Sequence, residues 1–506
     1  MRIFRKLFDT KISISYMFIL LGVSGLMLIG YFSYAWFTVQ GVQQYSVVTG
    51  TLNGTVAIGS NSVAINGTGV ITYTPTTDND TITLTVTNTN DRTVKNSIYY
   101  YPLSDSSIEI GYTSDSPTIP TVEGVSVEAG KTLTYKIKIK GTNGKKIKIG
   151  SSMGLNNSNL TLPSGTNAFG KMSDPISIDT LVAQSNSEDL DYNSATDDQK
   201  NQMWAFSHDK TDQTGALTDY RYIGANPNNY VKFNDELWRI IGVFYVDDGT
   251  GTLEKRMKII RNESIGYYAW DNKDTAAGAE TNYGKNNWPD ARLNYLLNEG
   301  HEYNSAGGSL YWNRKKGVCY CSSNNGMTNC DFTSTGLTEE ARKMIGSTKW
   351  YLGGFGESPS YLWVLTSEWY NYERGTKVYS GHSTSWVGKV GLMYLSDYGY
   401  ATSGGTTTDR NSCLAKELYY WDNSKYTDCV NNDWIYNANI FQWTITPQSD
   451  KSNYVFFVRP GGWICPYDIG EEYDKRNAIR PTVYLKSTIK ISSGTGSSTD
   501  PFILSE

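Results

Sequence analysis

Residues 477–487 read NAIRPTVYLKS, close to the end of a 506-residue chain. The stretch is an apolar strand with Arg-Pro at its mouth. Pro481 lacks a backbone donor and suits the first residue of a strand. Beyond it, Val483 and Leu485 point to one face and Tyr484 to the other. Arg480 then sits where a guanidinium can clamp a carboxylate or carbonyls through several donors, which is a structural role and not a catalytic one. The apolar run WRIIGVF, 238–244, is the strand's expected neighbour.

Working outward, YVKFNDELWRIIGVFYV (230–246) reads as two strands joined by an Asn234-Asp235 turn. DDGTGT then leads into a third strand, RMKIIRN (256–262). Helices are predicted at NNWPDARLNYLLNEG (286–300), with Leu293, Leu296 and Leu297 on one face, and at TEEARKMIG (338–346), capped by Thr338. SYLWVLT (360–366), VGLMYLSDYGYAT (390–402), IFQWTITP (440–447) and NYVFFVRPGG (453–462) read as short strands between long polar loops. Residues 176–506 are therefore expected to form one α+β head. The layout resembles the C-type-lectin-like and formylglycine-generating-enzyme-like folds, in which the last strand pairs with the first. ELWRIIGVF, RLNYLLNE, GLMYLSDYGYAT and AIRPTVYLKS together resemble a class of exported proteins from gut Gram-positive bacteria, over roughly residues 205–505. Ala478-Ile479 stand where that class has Gly-Phe before Arg-Pro.

The N-terminal third has a different texture. In TITLTVTNTN (81–90), Ile82, Leu84 and Val86 alternate with Thr. In KTLTYKIKIK (131–140), Leu133, Tyr135, Ile137 and Ile139 alternate with Lys and Thr. This is the period of half-buried strands, and turn clusters separate them. A β-sandwich stalk is expected over 45–150, then a Gly/Ser/Asn linker over 151–175. GYFSYAWFTVQG (30–41), followed by LTVTNTN (84–90), resembles the precursors of camelysin and biofilm-matrix-filament proteins, which implies an immunoglobulin-like sandwich.

Residues 1–11 carry Arg2, Arg5, Lys6 and Lys11, and no further charge follows until Asp78. Residues 12–37 read as a transmembrane anchor or signal segment. As a helix, Ile14–Phe37 would span about 36 Å, enough to cross a bilayer. The basic flank stays in the cytoplasm, which puts the bulk outside. Ser33-Tyr34-Ala35 is a passable cleavage site, but the apolar run is longer than a usual signal core, so a retained single-pass anchor is expected. Six Cys, at 319, 321, 330, 413, 429 and 465, fit an oxidising exterior and disulfides. Cys413 and Cys429 close a local loop and are expected to pair, contributing about 3 kcal/mol. The pairing of Cys319, Cys321, Cys330 and Cys465 stays open.

Several chemistries are excluded. A net charge of −5 offers no broad basic surface for nucleic acid. The three His, at 208, 301 and 382, never stand in metal-ligand spacing, so no metal or cofactor is expected. GTNAFGKM (165–172) has Met172 where a phosphate-binding loop needs Ser or Thr. GSSMG (150–154) leads into an Asn-rich loop, with no helix to form a nucleophile elbow. DLDYNSATDDQK (189–200) has Ser194 for the turn Gly and Lys200 for the bidentate Glu of a calcium loop. Formylglycine-generating enzymes use a reactive Cys pair, whereas these Cys read as structural, so the chain is not expected to be an enzyme.

The positive signal is aromatic, with 38 Tyr and 14 Trp. Such rings offer flat apolar faces with polar tips, suited to sugars or protein partners. Most fill the core. Trp463, Tyr467 and Tyr473 in FVRPGGWICPYDIGEEYD, and Trp386 in GHSTSWVGK, sit among Gly, Pro and polar residues, where function concentrates. The reading is a surface protein anchored by its N-terminal helix, whose lectin-like head binds an extracellular glycan or protein. The alternative is a structural subunit of a matrix or filament.

Overall fold

Two units are present in the computed structural model, Met1–Ser173 and Asp174–Glu506. Residues 19–27 and 52–506 are described, apart from 78, 103–108, 142–143, 173–174, 209–216, 274–283, 305, 323–324, 357–359, 422–423 and 470–476. Residues 19–27 are helical, with Leu20, Leu26 and Met27 exposed. Among the described residues no helix is long and apolar enough to cross a membrane, and the rest of 12–37 lies outside them. Both units are mainly β.

In the smaller unit the alternation of apolar and polar residues becomes a ladder. Asn79–Asn88 pairs antiparallel with Thr132–Lys140, setting Ile82 opposite Ile137 and Leu84 opposite Tyr135. On one face Ile82, Leu84, Val86, Tyr135, Ile137 and Ile139 are buried, while the intervening Thr and Lys side chains face away. On the other flank of the ladder Val94–Tyr100 pairs with Ile147–Leu155. The ladder folds over one apolar core, and Tyr135 Oη donates to Asn96 Oδ1 at 2.9 Å across it, the layout of a β-sandwich. The expected linker 151–175 is corrected here. Residues 151–155 end the strand Ile147–Leu155, and Asn167–Ala168 and Gly170–Met172 add short edges to the same sheet. Gly154, one of the residues that suggest a linker, serves close packing, since a Cβ there would meet Leu160 Cδ2 at 2.3 Å.

The larger unit is built on a long hairpin. Asn234 and Asp235 both take positive φ, as a two-residue type I′ turn requires, and join Tyr230–Phe233 to Glu236–Asp247. Glu236–Asp247 pairs on its other edge with Leu253–Arg261. Thr482–Tyr484 then lies against Leu253–Arg261, with Lys258 opposite Tyr484, and not against 238–244. Both edges of Glu236–Asp247 are already taken, so the late strand pairs with the next one out. A still later strand, Phe502–Ser505, runs parallel to Tyr230–Phe233.

Helices form at Arg292–Leu297, burying Leu293, Leu296 and Leu297, and at Glu339–Met344, where Thr338 Oγ1 accepts from Ala341 N. Two expected strands are helical instead. Residues 360–366 give a 3₁₀ turn, Ser360–Trp363, and open the helix Thr366–Arg374. Residues 390–402 give a two-residue strand and then the helix Leu395–Tyr400. In both cases a carboxylate three residues on accepts the backbone N–H at the start, from Leu365 to Glu368 and from Tyr394 to Asp397.

Candidate ligand-binding surface

Arg480 is buried, and its guanidinium spans three elements. Nε donates to the Arg261 carbonyl at 2.9 Å, and Nη1 donates to the Ile435 carbonyl and Gln442 Oε1 at 3.1 and 3.0 Å. Burial, with Arg239 nearby, pulls its pKa down to about 10. The neighbouring Asp433 carboxyl is pushed well up by burial. This constellation ties the late strand to the core.

A second set of charges lies deeper. Lys258 projects from Leu253–Arg261, and its Nζ contacts Asp397 Oδ2 at 2.5 Å. Arg221 bridges Asp397 Oδ1 at 3.1 Å and Asp219 Oδ2 at 3.0 Å, and His208 Nε2 meets Asp219 at 3.1 Å. A close approach positions Arg221: Gly242 opposite it has no Cβ, which would meet the Tyr220 carbonyl at 2.0 Å. Glu373 accepts from Ser396 N and Thr446 Oγ1, each at 3.1 Å, and from Ser396 Oγ. The Arg374 guanidinium lies 3.4 Å from the Tyr370 ring centroid, and the His208 ring stacks on Tyr370 at 3.6 Å.

Burial governs these groups. It pushes Glu373 up to about 7 and pulls Lys258 down to about 8. It also lowers His208, with Asp219 opposing. For Asp397, burial pushes upward, but Lys258 and Arg221 outweigh it and hold the carboxyl below its ordinary range. The network is closed to a diffusing ligand, because Lys258, Arg221, Asp219 and Asp397 are all at most 2% exposed.

The open aromatic surface lies elsewhere in the unit. Ser360–Trp363 and Leu418–Tyr420, two 3₁₀ turns, pack together beside the hairpin Tyr454–Val458/Ile464–Asp468. Trp363 is 61% exposed and leans on Tyr420 at 5.7 Å. Tyr420 meets Tyr419 edge-on at 5.2 Å, and Tyr419 meets Trp463 at 5.1 Å. Tyr361 closes the run, 6.1 Å from Tyr419. Cations sit at the rim, Arg459 4.2 Å from the Trp463 ring and Lys416 4.6 Å from Tyr420.

The frame beneath these rings is fixed. Leu418 and Trp421 are fully buried anchors, and Gly462 takes φ +88° at the hairpin turn, where Tyr398 Oη donates to its carbonyl at 2.5 Å. The Cys413–Cys429 disulfide joins the helices Arg410–Leu414 and Thr427–Asn431 on either side of Leu418–Tyr420. A second disulfide links Cys319 and Cys330, while Cys321 and Cys465 carry free thiols.

Of the three described ring residues among the four singled out in the sequence, only Trp463 joins this run. Tyr467 lies on the same hairpin, but half-buried and edge-on to Phe457 at 6.1 Å. Trp386 pairs across strands with Trp350 and packs on Trp288 at 6.2 Å, so it belongs to a different sheet. Tyr473 lies outside the described residues. The sequence reading missed Tyr361, Trp363, Tyr419 and Tyr420. The strings YLW and LYYW held them, but both sit in segments that read as core or loop. Compared with family models, curated proteins and solved structures, the chain matches none.

Proposed function

We propose that the chain is a cell-surface ligand-binding protein, exported and held in the membrane by its N-terminal apolar segment, with the sandwich as a stalk. The larger unit is its α+β, C-type-lectin-like head. The aromatic run Trp363–Tyr420–Tyr419–Trp463 takes an extracellular glycan or protein. One observation carries this reading: a tryptophan 61% exposed continues into three further rings held on a disulfide-flanked frame. Large aromatics on a rigid support bind at low entropic cost and dominate contact energies.

Export is supported by the two disulfides. A filament subunit is less well supported, because the edge strands Asn167–Ala168 and Gly170–Met172 are too short to template another chain. The test is an array of glycans and surface proteins probed with the full chain. A hit should weaken at least tenfold in Trp363→Ala and in Trp463→Ala, but not in Trp386→Ala. Equal binding by all three variants would overturn the assignment of the surface.

A further inference from the structure

We propose that Lys258 and Asp397 condense to an intramolecular amide, covalently tying the strand Leu253–Arg261 to the helix Leu395–Tyr400. The two residues are 139 positions apart, yet Nζ and Oδ2 are in contact at 2.5 Å. Lys258 is fully buried and Asp397 is 1% exposed, so neither the reacting pair nor the product is open to bulk water. The ammonium sits in an aromatic box, with ring centroids of Tyr394, Tyr484, Trp350 and Phe244 at 4.2, 5.2, 5.3 and 5.7 Å.

The step balances with the atoms present. The Lys258 ammonium passes one proton to Asp397 Oδ2, and the freed amine attacks Cγ. Negative charge then gathers on Oδ1, where Arg221 Nη1 already donates at 3.1 Å and meets it as an oxyanion partner. A second proton moves from Nζ to Oδ2, the Cγ–Oδ2 bond breaks, and water leaves. The Tyr394 N–H, 2.9 Å from Oδ2, steadies the departing oxygen. One proton stays on the new amide nitrogen, and no oxidant, metal or co-reactant is needed.

The carboxylate is held ionised by these same donors, so the reaction proceeds through the proton-transferred pair. Burial works toward that pair, bringing Lys258 down to about 8, against the two cations that keep Asp397 ionised, so the neutral pair is a minor state from which the reaction starts. Fixed contact supplies the remaining drive, since well-oriented intramolecular reactions reach effective concentrations of about 10⁵–10⁸ M. Once water has left a sealed site, the reverse hydrolysis has no reagent at hand.

The test is a tryptic map of the full chain, reduced and denatured. Trypsin does not cut after an acylated lysine. The expected product is therefore Met257–Arg261 joined to Val390–Arg410, with a mass equal to their sum less one water. Lys258→Arg and Asp397→Ala should each abolish this branched peptide. Recovery of Met257–Lys258 and Val390–Arg410 as separate peptides from wild type, in full yield, would reduce the pair to a buried ion pair and overturn the proposal. Fragmentation that places the missing water at any other residue would overturn it equally.

Discussion

The two units fill their cores by opposite means. In the smaller one Val56, Ile71, Leu84, Val86, Ile137 and Ile149 make a neutral interior, each contributed by a strand that alternates apolar and polar residues. The larger one buries Trp204, Trp238, Trp270, Trp350 and Trp443 together with Lys258, Arg221, Asp219, Asp397 and Glu373. An apolar interior draws its stability from area removed from water and tolerates small losses in proportion. A charged interior depends on every partner being present, because an isolated buried charge costs more than a paired one returns. The head should therefore be brittle toward single polar changes and the sandwich forgiving.

The sharpest way to break that contrast is Arg221→Ala. It takes the shared guanidinium from Asp219 and Asp397, leaving them only His208 and Lys258 in a site that excludes water, and removing one partner from a buried pair costs about 3–5 kcal/mol. Calorimetry of the full chain should show the head's transition fall steeply or vanish while that of the sandwich stays in place. A variant whose two transitions both stay at wild-type positions would mean that the charged interior is not what holds the head.

The pH dependence should follow next in size. Glu373 is an acid whose folded pKa is raised, to about 7 from an ordinary 4.5, and the cause is burial. Below about 4.5 both the folded and unfolded states hold the proton, and the stability it contributes is complete. Between about 4.5 and 7 only the folded state keeps the proton, so stability falls as pH rises, by about 3 kcal/mol in total. His208, lowered by burial, acts in the opposite sense, since its contribution is lost as pH falls through the imidazole range. Glu373→Gln keeps acceptors and donors for Ser396 and Thr446 and has no proton to lose. Denaturation of this variant should show a stability that no longer declines toward pH 7. A decline as steep as in wild type would assign the slope to another group.

Arg480→Ala comes third. It leaves the Arg261 and Ile435 carbonyls and Gln442 Oε1 without their donor, and each buried unsatisfied group costs about 1–3 kcal/mol before water or relaxation repairs it. Head melting should drop clearly, and ligand binding should fade only with folding. A variant that melts like wild type but binds nothing would make Arg480 a site residue.

These same residues mark what the sequence could reveal. Period-two alternation in 81–90 and 131–140 made the sandwich strands legible, because there burial alone decides which residue faces in. The Arg-Pro strand mouth, a local signal, marked Arg480 as a guanidinium placed to bond carbonyls, and it donates to those of Arg261 and Ile435. The charge network had no such signal, since Asp219, Lys258, Glu373 and Asp397 belong to four separate elements and meet only through long-range packing. The aromatic surface is similar. Trp463 stood out because Gly and Pro surround it, whereas Trp363 lay in an apolar string that reads as a strand and folds as a 3₁₀ turn.

The smallest effect is expected in the sandwich, with Tyr135→Phe. The phenol is fully buried and burial raises its pKa, so its proton stays on and donates to Asn96 Oδ1 at 2.9 Å. Removing the hydroxyl takes the only heavy atom that differs and leaves the ring in its apolar setting, so no large cavity opens. Asn96 still donates to Ser151 Oγ at 2.7 Å and to the Ser152 carbonyl at 3.1 Å, which keeps its amide in place. Its Oδ1 loses the Tyr135 donor, and the loss should amount to about 1–2 kcal/mol. Chemical denaturation followed through the sandwich's transition would measure it. A loss comparable to that of Arg221→Ala would show that the sandwich, too, depends on a polar link across its core, and that the contrast between a forgiving and a brittle interior is false.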